Sequence, residues 1–214
     1  MTEEFNLKGE IDKHYDSMSQ PHKDRDYFYM SEAGKCQRSI YFDFINKKAK
    51  TFDAKTRRIL ENGDKMHERY IKAFAEMGIL VGAELTPKSG DLVHGRCDAI
   101  ITDGKQNYII DLKSTSMWSF KSLNEPKAQD KTQLMLYMYY FNIPRGYLLY
   151  ENKNDQNIKT FYIELDKPFV EKLIAQLTSL KINIDKQITP DCVGSKEKCQ
   201  WCDHKLTCDK VVSI

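Results

Sequence analysis

The chain has 214 residues, 41% of them hydrophobic and 30% charged, which bounds it to one globular unit with a sizeable core and excludes a disordered protein. With 33 basic and 31 acidic residues the net charge is only +2, so no global basic field marks a nucleic-acid binder and such contacts must come from local patches. No apolar run approaches the roughly 18–20 residues of a membrane helix, and Met1–Lys8 lacks the basic start and apolar core of a signal peptide, so a cytoplasmic protein without a membrane partner is expected.

Residues 1–30 are polar and read as a loose N-terminal arm with at most a turn or two of helix. Ser31 is placed to cap a helix running through Cys36 to about Phe44, with Ile40, Tyr41 and Phe44 on one side. A lysine-rich loop follows at Lys47, Lys48 and Lys50. Over residues 55–77, Ile59, Leu60, Met66, Tyr70, Ile71, Phe74 and Met77 recur at three- and four-residue steps, which predicts a helix stopped by Gly78. Ile79–Leu85 is a short strand ended by Pro87. Leu92–Thr102 and Asn107–Ser114 are strands around an Asp103-Gly104 hairpin turn.

Lys127–Phe141 is helical again, and Pro144 forces an exit. Tyr147–Glu151 and Ile158–Leu165 are strands, and residues 166–184 form an amphipathic helix with Phe169, Leu173, Leu177, Leu180 and Ile184 on its apolar face. The order helix, strand, hairpin, helix, two strands, helix predicts an α/β domain with a central mixed sheet flanked by helices. Residues 1–30 are its arm, and residues 31–214 are one domain with a cysteine-rich tail at about 190–210.

The hairpin carries the chemistry. Residues two apart on a strand share a face, so Asp111 and Lys113 project together while Ile110 and Leu112 point into the other layer. Asp98 opens the neighbouring strand. Two carboxylates this close repel unless a cation sits between them, and oxygen ligands of that kind suit Mg²⁺ or Mn²⁺. Lys113 can orient or deprotonate an attacking water and offset phosphate charge. His67, on the first long helix, offers an imidazole ligand, and Gln133 and Tyr137, four apart, share one helix face.

The ordered set Gly63-x3-His67, Glu84, Gly95-x2-Asp98, Asp111-x-Lys113 and Gln133-x3-Tyr137 resembles the RecB-like branch of the PD-(D/E)XK nuclease superfamily, over roughly residues 31–208. The resemblance implies a restriction-endonuclease-like core and a metal-dependent DNA exonuclease preferring single-stranded ends. In its terms His67, Asp98, Asp111 and the Leu112 carbonyl hold the metal and Lys113 is the catalytic lysine. Gln133 and Tyr137 contact substrate, and Glu84 either assists the site or satisfies a basic neighbour. A structure-specific endonuclease of recombination or repair, and a catalytically inactive DNA-binding subunit, are the alternatives. Helicase, recombination or replication proteins are possible partners, and the setting is a bacterial, archaeal or phage-infected cytosol. Oligomeric state, polarity and pathway have no sequence signal.

Six cysteines in a cytosolic chain point to metal or cluster chemistry rather than disulfides. Cys199-x2-Cys202-x5-Cys208 has ligand spacing, and spacing alone favours zinc. The resemblance, to the branch that includes CRISPR-associated exonucleases and the AddB nuclease domain, implies instead a 4Fe-4S cluster on Cys36, Cys199, Cys202 and Cys208. Trp201 either shields it or packs in the tail. Cys192 is a surplus cysteine, and Cys97 reads as a buried thiol. After Lys113, Trp118 and Phe120 either stack on unpaired bases or pin their loop to the core. Arg57, Arg58, Lys65 and the lysines at 47–50 form either a basic rim or a solvated surface.

Overall fold

The computed structural model describes residues 5–18, 25–46, 52–193 and 199–212. Within the segment expected to be loose lies an eleven-residue helix, α1 (Leu7–Ser17), capped by Asn6. None of its residues is buried, although Leu7, Ile11 and Tyr15 recur at four-residue steps. Polar contacts hold it to helix α3 (Ala54–Glu76): Arg58 pairs with Asp12 at 2.9 Å, the Tyr15 hydroxyl donates to Glu61, and Asp16 accepts from the Ala54 amide. Lys47, Lys48 and Lys50 lie outside the described residues.

Strand β1 (Phe28–Tyr29) pairs in parallel with the equally short β3 (Val93–His94) and buries Phe28 and Val93 completely. Helix α2 (Gln37–Asn46) begins after Cys36, not at Ser31. The intervening residues are shaped by Glu32, a buried carboxylate that accepts from the Arg25 guanidinium and the Tyr29 amide. They are shaped also by Gly34, where a Cβ would come within 3.0 Å of the Gln129 Cα. Helix α3 starts at its Asp53 cap and ends before Gly78, whose φ of +70° suits a glycine stop, as its pattern predicts.

Strands β2 (Leu80–Leu85), β4 (Cys97–Thr102) and β5 (Asn107–Thr115) follow, with short helix α4 (Met117–Lys121) after them. Next come helix α5 (Ala128–Phe141), strands β6 (Arg145–Asn152) and β7 (Ile158–Glu164), helix α6 (Lys167–Asp185) and helix α7 (Lys205–Val212). The hairpin turn is fixed by Asp103, whose Oδ1 accepts from the Lys105 and Gln106 amides at 2.9 Å each. The stretch expected as one strand over Leu92–Thr102 is broken at Gly95 and Arg96, because Val93 and His94 leave for the small sheet.

The main sheet has the order β2-β4-β5-β6-β7, parallel between β5 and β6 and antiparallel elsewhere. Alternation along β5 divides the core. Ile110 and Leu112 join Met66 and Phe74 of α3 on one face, while Ile109 joins Leu134 and Met138 of α5 and Leu177 and Leu180 of α6 on the other. This is the expected α/β architecture, and it aims Asp111 and Lys113 at α5. Among the described residues no helix is long and apolar enough to cross a membrane.

Candidate active site

The β4–β5 ladder ends at the pair Ala99 and Ile110. Beyond it the Asp98 side chain takes the place of a main-chain partner: its Oδ2 accepts a 2.6 Å hydrogen bond from the Leu112 amide. The N–H and C=O of a strand residue leave by the same edge, so the Leu112 carbonyl faces the same opening. The other Asp98 oxygen lies 3.5 Å from Nδ1 of His67, which α3 carries over the opening one turn beyond Gly63.

Glu84 enters from β2. Its φ of +54° is the left-handed region, disfavoured for a residue with a Cβ, at a cost on the order of 1 kcal/mol. His67, Glu84 and Asp98 each offer a ligand atom within 4.8 Å of the others. Expected only as an accessory at the substrate, Glu84 thus stands among the groups able to hold a cation. It also contacts the guanidinium of its basic neighbour Arg96. Arg96 itself was not singled out, although it lies two residues before Asp98 on the same short segment.

Asp111 is 1% exposed beside this group. Burial pushes its carboxyl well above the ordinary carboxylate range, Asp98 adds to the push, and the Lys113 ammonium opposes it. Lys113 Nζ is 2.6 Å from Asp111 Oδ2. Burial disfavours the ammonium, yet the attraction of Asp111 and Asp98 outweighs it and holds its pKa above the ordinary lysine value. Lys113 donates to Gln133 Oε1 at 3.2 Å, and Gln133 Nε2 donates to the Tyr137 hydroxyl at 3.3 Å. Tyr137 is buried, which raises its pKa. Asp111, Lys113, Gln133 and Tyr137 therefore form one polar chain running from sheet to α5.

Among the described residues, the buried side-chain oxygens or nitrogens without a hydrogen-bond partner are Glu84 Oε2 and Asp111 Oδ2. Each touches a cationic side chain, Arg96 or Lys113, but at an angle unsuited to a hydrogen bond. Both oxygens are thus answered by a cation, and Asp111 lies beside the His67, Glu84 and Asp98 group rather than within it; carboxylate oxygens with an imidazole are the donors a hard divalent cation takes.

Of the other expected contacts, Trp118 is 77% exposed on α4, whereas Phe120 is buried and pins the loop. Arg58 engages Asp12 and Tyr15 rather than lining an open rim. Cys97 is fully buried and its thiol pKa is raised by that burial.

The tail cysteines meet the helix that starts after Cys36. Arg38, buried in α2, donates to the Pro190 carbonyl at 2.6 Å and lies 3.4 Å from Cys208 Sγ. His204 lies 2.9 Å from Asp43. The Cys199 thiol is held above its ordinary value by burial first, then by hydrogen bonding to Cys192 and by the nearby Cys36 and Cys202. Cys199 is thus near Cys192, Cys36 and Cys202, while Cys208 meets Arg38. Trp201 is 84% exposed.

The model of the PD-(D/E)XK nuclease superfamily matches residues 30–209. No curated protein matches the chain. Among solved structures, SSO0001 superposes with a TM-score of 0.59 at 21% identity, over 97% of this chain and 96% of its own. The alkaline exonuclease of Laribacter hongkongensis gives 0.56 at 13% identity, over 84% and 94%. A phage-related exonuclease from Haemophilus somnus 129PT gives 0.60 at 15% identity, over 76% and 95%. At these identities the structures share the fold.

Proposed function

The chain belongs to the PD-(D/E)XK nuclease superfamily and is a metal-dependent nuclease, and we propose that its substrate is DNA, degraded from single-stranded ends. The observation that carries the site assignment is the group His67, Glu84 and Asp98, whose ligand atoms lie within 4.8 Å of one another, with the buried Asp111 beside it. In this reading His67, Glu84, Asp98, Asp111 and the Leu112 carbonyl hold Mg²⁺ or Mn²⁺. A divalent cation there supplies Lewis acidity, activating water and offsetting charge on the phosphate.

The remaining work falls to the chain itself. Lys113, fixed between Asp111 and Gln133, keeps its ammonium charged where negative charge grows on the phosphate. Gln133 and Tyr137 orient the strand from α5 through an amide and a phenol that already hydrogen-bond each other. All of His67, Asp98, Asp111 and Lys113 are present and adjacent, which favours an active enzyme over a binding subunit. Two solved proteins of like fold are named exonucleases, and that favours attack from ends.

Cys36, Cys199, Cys202 and Cys208 are proposed to hold a 4Fe-4S cluster that ties α2 to the tail, a reading supported by their spacing and by the nearness of Cys199 to Cys36 and Cys202, with residues 31–214 acting as one domain. Iron and sulfide in a brown anaerobic preparation support the cluster; a colourless protein with stoichiometric zinc overturns it. For the nuclease reading, end-labelled single- and double-stranded DNA is incubated with Mn²⁺ or Mg²⁺. Single strands should shorten from an end, and Asp111→Ala should stop it. No degradation with either metal removes the proposal.

A further inference from the structure

Beside the carboxylate cluster, the small sheet of β1 and β3 carries rings where a surface usually carries polar side chains. Phe28 and Val93 point inward, which turns Tyr27, Tyr29 and His94 outward. Tyr27 and His94 lie ring on ring, centroids 3.9 Å and planes 8° apart, and Tyr29 meets Tyr27 edge-on at 5.4 Å. Tyr29 stays 40% exposed, so core packing does not account for it.

These rings border a hollow of about 370 Å³, lined also by Ser31, Thr86, Arg96 and Tyr137. Its size is at the lower end of small-ligand pockets, roughly 300–1,000 Å³. Two links join it to the candidate centre. Tyr137 belongs to the polar chain that includes Gln133 and Lys113, and the Arg96 guanidinium contacts Glu84. Gly95 is what lets the wall come this close, since a Cβ there would stand 2.9 Å from the Tyr137 hydroxyl.

We propose that this hollow is a subsite for an unpaired nucleotide flanking the scissile phosphate, its base stacked on Tyr29 with His94 against its edge and its phosphate met by Arg96. The inference rests on the reading of the chain as a DNA nuclease. A base in a duplex has both faces stacked and its edge paired, so only an unpaired nucleotide can offer a face to the rings. Aromatic stacking is tolerant of base identity, which suits an enzyme that degrades strands without sequence preference. Arg96 is mostly exposed and can turn a planar fork of donors to a phosphate two residues from Asp98.

The test uses the full chain carrying Asp111→Asn, so that bound DNA is not consumed, with single-stranded and blunt duplex oligonucleotides. 2-Aminopurine, whose fluorescence is quenched by stacking, is placed in turn at each position near either end. Quenching is expected at one position of the single strand. Tyr29→Ala and His94→Ala should abolish it and weaken single-strand binding about tenfold, with duplex binding little changed, while Tyr29→Phe keeps both. Quenching retained in both alanine variants, or equal weakening for single strand and duplex, overturns the subsite. In the Asp111 background, a parent chain that cleaves no DNA with Mn²⁺ brings down the nuclease reading itself. A parent that cleaves, with Tyr29→Ala cleaving single strands equally well, brings down only the subsite.

Discussion

Asp98 and Leu112 face each other where the hairpin strands part, and a carboxylate oxygen does there what a backbone carbonyl does further along the ladder. One side chain therefore has two duties, closing the sheet and offering a ligand atom. The two duties separate on mutation. Asp98→Ala leaves the Leu112 amide unpaired, at a cost of about 1–3 kcal/mol, or roughly 3–10 °C in Tm for a chain of this size. Asp98→Asn keeps an acceptor oxygen and relieves repulsion with Asp111, so with chelator present its Tm should match or exceed the parent's. Both should bind Mn²⁺ at least about 100-fold more weakly by calorimetry. Unchanged Mn²⁺ affinity in Asp98→Asn would exclude Asp98 as a ligand.

Lys113 lies against Asp111 but offers no ligand atom while charged. Replacing it by Met should therefore leave Mn²⁺ binding in place and lower kcat by about 10²–10⁴-fold with a small change in KM. Single-turnover cleavage together with calorimetry separates the two readouts. Loss of metal binding with no separate fall in kcat at saturating metal would reduce Lys113 to a support for Asp111.

The parts legible in the sequence are those with local periodicity. Helix α3 and the β4–β5 hairpin each repeat apolar residues at their own period, α5 is a continuous apolar run ended before Pro144, and Asp103-Gly104 marks the turn between the strands. Helix α1 repeats only Leu7, Ile11 and Tyr15 within a polar stretch and buries none of them; Arg58, Glu61 and the Ala54 amide hold it by polar contacts. Strands β1 and β3 are two residues each and meet across a long loop, so neither has a pattern of its own. At the site, Asp98, Asp111 and Lys113 followed from strand alternation. The place of Glu84 depends on a left-handed φ that an acidic residue does not advertise.

The hairpin turn predicts a pH effect of definite sign. The Gln106 and Lys105 amides, then the Tyr108 hydroxyl, hold the Asp103 carboxyl at about 2, below its ordinary 3.8. A depressed folded-state pKa means stabilisation fully present above 3.8 and lost as pH falls through about 2. Asp103→Ala should be less stable than the parent at neutral pH, and the gap should close across that acid window. Thermal melts at stepped pH, with an NMR titration of the carboxyl, measure it. A gap that stays constant through the window would refute the assignment.

Arg38 makes the same kind of bridge over a much longer loop. Its guanidinium is buried in α2, yet its partners are the Pro190 carbonyl and the Cys208 sulfur, so a single side chain fastens the tail to the body. The pKa of Arg38 is raised, by the contact with Cys208 above all, which keeps its guanidinium charged despite burial. Arg38→Met keeps much of the packing volume but leaves the Pro190 carbonyl without its donor, at a cost of about 1–3 kcal/mol. Tm should fall by roughly 3–10 °C, and limited proteolysis should cut near residue 190 faster than in the parent. Iron bound per chain should fall as well, because Cys208 is then less firmly presented. Arg38→Lys keeps the charge with a shorter reach and should lie between the two. An Arg38→Met protein with the parent's Tm, proteolysis rate and iron content would show that the other contacts of the tail, the His204–Asp43 pair among them, hold it in place without Arg38.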